Sequence, residues 1–274
     1  MGAYLQDNWK VLANLHLTLG VRYDYNDTAD SAVSPRAALV YSPWEKTAFK
    51  LLYGSTFRAP NVYELHYDDG GLSTKANPDL KPEKIQTYEG VYEQYLGEHL
   101  RSSLSGFYYR TDDLISLGYD PVSGLNMFQN IDETEAYGGG AEIEGRWASE
   151  LAGRLSYSYQ ETRNLDTGKI LSNSPRQLLK GNLTVPLVEK QLLGTVEVLY
   201  TGSRHNEPGR SGASGFVITN LTLFSKNLLP GLELSASVYN LFDKSYEDIG
   251  GAEHIQGTLS QEGRTYRAKL SYRF

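Results

Sequence analysis

Few residues of this chain are equipped for chemistry, and none of them gather into a reaction centre. Asp68-Asp69-Gly70-Gly71 brings two carboxylates into a turn that could hold calcium, but it lacks the spaced D-x-D-x-D-G pattern of an EF-hand loop. Serine, histidine and aspartate all occur, yet there is no Gly-x-Ser-x-Gly elbow, no His-Glu-x-x-His helix and no phosphate-binding glycine loop. Gly138-Gly139-Gly140 lies in a strand-like run, where glycines mark a bend or a close backbone approach. Cysteine is absent, which removes thiolate catalysis, disulfides and cysteine metal sites together. No enzyme, metal site or cofactor is expected.

The elements that position the remaining polar residues are strands. From Arg264 to Phe274, Tyr266, Ala268, Leu270, Tyr272 and Phe274 alternate with Thr265, Arg267, Lys269, Ser271 and Arg273, the period of two of a half-buried strand. The terminal Phe274, with Tyr272 two residues before it, resembles the signal by which outer-membrane barrels are assembled. Leu15, Leu17, Leu19, Val21, Tyr23 and Tyr25 repeat the pattern, as do Leu151, Gly153, Leu155, Tyr157 and Tyr159. Alternation predicts about thirteen strands, most exceeding the ~9–11 residues a tilted strand needs to cross a bilayer. Their spans are 2–11, 14–26, 34–42, 46–56, 83–96, 99–118, 125–148, 151–163, 175–187, 190–202, 214–226, 231–242 and 263–274.

Composition agrees with that reading. Tyrosine occurs 21 times against 8 phenylalanines and 3 tryptophans, and amphipathic rings suit a boundary between hydrocarbon and water. A mean hydropathy of −0.44 suits strands that show lipid only every second residue. A net charge of −7 offers no basic patch for phosphates, so no nucleic-acid partner is expected. Short links at 12–14, 43–45, 97–98, 149–150, 188–189 and 227–231 take turns with long ones at 57–82, 119–124, 164–174, 203–213 and 243–262. Short turns on one rim and long loops on the other are the asymmetry of a bacterial outer-membrane barrel. The fold class is therefore all-β, a transmembrane antiparallel β-barrel in the outer membrane of a Gram-negative cell, with the lipid bilayer as first partner. An odd strand count starts the chain on the outer side, and points to the C-terminal part of something larger.

Two phrases carry a family resemblance. Tyr53-Gly-Ser-Thr-Phe-Arg-Ala-Pro60 with Asn61 to Leu65, then Asn77-Pro-Asp-Leu-Lys-Pro-Glu83, resembles the loop between two barrel strands of TonB-dependent outer-membrane receptors. Val238-Tyr-Asn-Leu-Phe-Asp-Lys-Ser-Tyr246 is similar to that family's penultimate strand and loop start, and Tyr272-Arg-Phe274 completes the set. The resemblance implies TonB-energised uptake of a large scarce nutrient (a ferric siderophore, haem or cobalamin) through a plugged barrel of about 22 strands. It also implies that residues 1–274 form the C-terminal part of the barrel domain. The plug, through which TonB acts, and the early strands should precede Met1. A passive pore of about twelve to fourteen strands, or a surface adhesion barrel, is the alternative.

The resemblance places ligand contacts in the long outer loops, on Tyr63, His66 and Tyr67, on Arg204 and His205, and on Glu253 and His254. The lumen wall that holds the plug would carry Lys50, Arg58, Glu142, Glu144, Lys180, Arg267 and Lys269, with Arg58 in a structural contact near the plug or loop base. Tyr272 and Phe274 would be read by the outer-membrane assembly machinery.

Overall fold

The computed structural model describes residues 1–25, 31–189, 191–206, 209–251 and 254–273, apart from the side chains at 132 and 227–229. In chain order the elements are β1 (Gly2–Leu12), β2 (Leu15–Asp24), β3 (Ala32–Trp44), β4 (Thr47–Arg58), a short helix α1 (Val62–His66), β5 (Thr74–Lys75), β6 (Glu83–Leu96), β7 (Leu100–Asp120) and β8 (Leu125–Arg146). They continue with β9 (Ala152–Asn164), β10 (Gln177–Val188), β11 (Leu192–Thr201), β12 (Phe216–Leu229), β13 (Leu232–Tyr239), β14 (Glu247–Ile249), β15 (Thr258–Ser260) and β16 (Thr265–Tyr272). Thirteen of the strands follow one another in a single antiparallel ladder, β5 pairs with β8 off that path, and β14 pairs with β15. Those thirteen are the strands that alternation predicts, most of them within two residues at each end.

The differences have local causes. The expected strand 231–242 stops at Tyr239 because Asn240 is left-handed, with φ of 50°. The expected long loop 119–124 is a tight turn at the tip of two long strands, β7 of 21 residues and β8 of 22. Roughly half of such a hairpin exceeds the ~9–11 residues that cross a bilayer. The long loops hold α1, β5, β14 and β15, none of them expected and all too short to display a period.

The chain divides into two compact units. Unit 1 comprises residues 1–92, 105–137 and 162–170. Its strands match Leu5 with Val21, Leu17 with Leu39, and Leu39 with Leu51, so that apolar residues align across β1 to β4 on one face. Leu5 and Leu51 are 74% and 62% exposed there, far more than the core-facing side of a soluble sheet allows. The small buried core of this unit lies elsewhere, where Leu65, Leu80 and Ile115 pack with Phe128.

Unit 2 comprises residues 93–104, 138–161 and 171–274. Leu155 opposes Gly181, Val196 opposes Leu221, Leu223 opposes Ala236, and Leu234 opposes Leu270, giving a second exposed apolar face. The opposite face is polar: Arg154 faces Asn182, Asn182 faces Glu197, and Glu197 faces Asn220.

Candidate functional site

The loop that leaves β4 is a folded structure. Arg58, the last residue of that strand, donates from Nε and Nη2 to both carboxylate oxygens of Glu83, at 2.7 and 2.6 Å. Its Nη1 donates to Glu64 at 2.9–3.0 Å. Glu83 is buried at the start of β6 and also accepts the Ile115 N–H at 2.9 Å. Glu64 closes a capping box with Asn61, which starts α1. Burial pushes the Glu64 carboxyl up, but hydrogen bonds from Arg58 and from the Asn61 N–H outweigh it and hold the group below the usual range. One guanidinium thus ties the end of β4, α1, β6 and β7 together.

The rest of the loop is laid along the β7–β8 hairpin. Asn77 donates from its backbone to Leu65 O and from its side chain to Phe128 O. Asn130 receives the Lys81 N–H and donates to the carbonyls of Lys81 and Asp113. β5 pairs in parallel with β8, Thr74 opposite Asn126, and Lys75 bonds Asp120 at 2.6 Å. Asp69 accepts from the Ser73 hydroxyl and from the N–H groups of Ser73, Thr74 and Leu72, which hold its carboxyl well below the ordinary range. Those donors occupy both oxygens, so Asp69 closes a turn, and no cluster of three metal-ligating side chains occurs among the described residues.

Among the side chains the loop leaves in solvent is an aromatic pair. Tyr63 and Tyr67, four residues apart, pack with their rings tilted and centroids 4.5 Å apart, and Tyr63 meets Phe128 edge-on at 5.8 Å. Tyr63 is 56% exposed, and His66 is exposed beside it.

In unit 2 the two loop arginines are engaged. Arg204, only 9% exposed, bonds Asp248 at 2.6 Å and Glu247 O at 2.9 Å, and lies 5.8 Å from the Phe216 ring. Arg210 donates to the carbonyls of Gly251, His254 and Gln256. These bonds join residues 203–213 to the last loop. His205 and His254 keep exposed side chains, while Glu253 and the assembly-signal residue Phe274 lie outside the described residues. Tyr272 ends β16 with an exposed ring.

The polar face carries a charge ladder. Arg101 bonds Glu93 at 2.9 Å and approaches Glu144 at 3.4 Å and Glu142 at 4.0 Å, and Glu142 accepts from Arg154 Nε at 2.8 Å. Lys180 faces Ser156, Arg267 faces Ser237 and Lys269 faces Ser235 on that face of unit 2. Lys50, opposite Val40, is half-buried in unit 1. The Tyr-Asn-Leu-Phe-Asp phrase is architectural. Asn240 bonds Lys244 N and O through its side chain, and Asp243 accepts the Arg264 N–H at 2.8 Å. A Cβ on Gly263 would come within 2.6 Å of that Asp243 oxygen, so a larger residue there would push the carboxylate off the Arg264 N–H. Sequence reading missed Glu64, Glu83, Asn77 and Asn130 as anchors. The Asn61-x-x-Glu64 spacing was the available signal for the first of them.

Strands with one lipid-exposed apolar face, one charged face, short turns and long folded loops define a transmembrane antiparallel β-barrel of the outer membrane. The sequence matches the family model of TonB-dependent receptor-like β-barrels over residues 1–241, and the chain belongs to that family. It is 27% identical over 99% of its length to the iron-regulated outer membrane virulence protein of Vibrio cholerae, covering 44% of that relative. It is 26% identical over 99% of its length to the ferric enterobactin receptor of Pseudomonas aeruginosa, covering 42% of it. A crystal structure of the latter receptor superposes with a TM-score of 0.83 at 22% identity, over 100% of this chain and 44% of that one. The chain thus spans less than half the length of the relatives it matches. The family is one of receptors and transporters, not enzymes.

Proposed function

We propose that the chain is the C-terminal barrel portion of a receptor that imports a chelated-metal or cobalamin-like ligand, a ferric siderophore before the others, with energy supplied through TonB acting on a plug domain. The observation that carries the reading is family membership, joined to relatives named as iron-regulated and as a ferric enterobactin receptor. The loop geometry supports a division of labour. Tyr63 and Tyr67, with His66, are the side chains offered to a ligand, whereas Arg58, Arg204 and Arg210 hold the loops that offer it. His205, His254 and Glu253 belong to the same proposed rim. Lys50, Glu142, Glu144, Lys180, Arg267 and Lys269 are proposed as the polar wall against which the plug rests.

Equilibrium binding of iron-loaded siderophores to the whole receptor tests this reading. Replacing both Tyr63 and Tyr67 by alanine is expected to weaken the bound siderophore about tenfold, the effect of two lost aromatic contacts. Unchanged affinity in the double variant would remove the pair from the site.

A further inference from the structure

The apolar face of unit 1 is not uniform. Leu39, Leu51, Gly90 and Gly106 leave a groove of about 540 Å³ across β3, β4, β6 and β7. Gly90 keeps it open, since a Cβ there would find only Leu51 Cδ2, at 3.7 Å. Tyr53, Tyr88 and Tyr108 form a row at its loop-side end, with centroids 5.0 and 6.3 Å apart. Beyond the row, where the strands feed the long loops, a second pocket of about 660 Å³ is lined by Ser31, Ser55, Lys81, Lys84 and Asp113 among others. Lys84 shares the face of Tyr88, four residues along β6. Both lysines are exposed, and neither ammonium has a hydrogen bond or ion pair among the described residues. Arg110, two residues past Tyr108 on β7, is by contrast neutralised by Asp112 and Glu133, each at 2.7 Å. Two ammonium groups against one carboxylate leave the pocket positive.

An apolar groove, an aromatic shelf and unpaired cations, in that order toward the loops, repeat the order of parts in an anionic lipid: acyl chain, backbone, phosphate. We propose that this face retains one phosphorylated lipid of the outer leaflet, an acyl chain in the groove and a phosphate on Lys81 and Lys84. The occupant is a lipid because Tyr53 and Tyr88 of the groove share the outward face of β4 and β6 with Ser55 and Lys84 of the positive pocket. It belongs to the outer leaflet because the lysines stand at the long-loop end of the strands. This inference rests on the outer-membrane placement of the chain and is independent of the nutrient imported.

Native mass spectrometry of the whole receptor in mild detergent tests it, with deep-rough lipopolysaccharide and its dephosphorylated counterpart as probes. The phosphorylated form is expected to bind one per receptor. Lys81→Ala and Lys84→Ala should each weaken it about fivefold, as a basic side chain beside an anionic lipid surface does. Gly90→Leu, which fills the groove, should weaken it as well. Lys10→Ala, at the turn end of β1, should bind as the parent does, and heat-modifiable migration identifies the folded fraction of every variant. Equal binding by the Lys81→Ala/Lys84→Ala double variant would overturn the proposal. So would equal binding of the dephosphorylated probe or of a zwitterionic phospholipid, or displacement by inorganic phosphate.

Discussion

Arg58 serves one buried carboxylate, Glu83, and one half-buried one, Glu64, with a single guanidinium. Removing it leaves Glu83 and Glu64 without their charge partner beside α1, at a cost of about 2 kcal/mol once the partial exposure of the arginine is discounted. Arg58→Ala is therefore expected to speed tryptic cleavage at Lys75 while the strands stay folded, and an unchanged rate would show that the loop is held otherwise. Asp69 gives the loop a pH dependence. Its folded carboxyl titrates below the ordinary aspartate value of about 3.9, so the ordering it contributes is fully present above that pH and fades as pH falls toward the lower folded value. Hydrogen exchange at Leu72, Ser73 and Thr74 should then be protected from neutrality to about pH 4 and lose protection only in stronger acid, whereas Asp69→Ala should lose it already at pH 7. The Arg-Ala-Pro and Asn-Pro phrases were legible as a loop because proline forces extended or turn geometry. That Arg58 would find Glu83, 25 residues on, was not legible, because a one-dimensional pattern does not encode which carboxylate a guanidinium meets.

Among the elements, the long strands were legible because a two-residue period repeated over ten or more residues leaves little choice of face. The same property makes the two faces unequal under substitution. Leu183 lies on the apolar face of β10, opposite Gly153, and Lys180 on the polar face, opposite Ser156. Leu183→Arg should destabilise the barrel by about 2–4 kcal/mol, the range for a cation near the bilayer midplane, and Lys180→Glu by far less. Urea titration of the protein in lipid vesicles reads the difference, and equal effects would contradict the assignment of faces. β5, β14 and β15 were invisible for the converse reason, since two or three residues show no period. They exist because neighbouring backbone accepts them: Lys75 lies opposite Met127 of β8, and Ile249 opposite Thr258. Asn130, which bonds Lys81 twice and Asp113 once, fastens the loop to the hairpin. Asn130→Ala should open residues 76–82 to exchange at a cost of about 1–3 kcal/mol.

At the scale of the whole molecule, the chain matches over nearly its full length to less than half of each relative. Its fold class and outer-membrane placement could be read from alternation, tyrosine content and turn asymmetry. The identity of the nutrient could not, because exposed loop side chains such as Tyr63 and Tyr67 are fixed by tertiary packing that no local pattern reports. Active uptake and a passive pore make opposite predictions about energy, and one experiment separates them. Radioiron delivered on a siderophore to cells that carry the whole receptor should accumulate, and accumulation should collapse when TonB is deleted. Uptake that continues at the same rate without TonB would contradict the account and favour a pore.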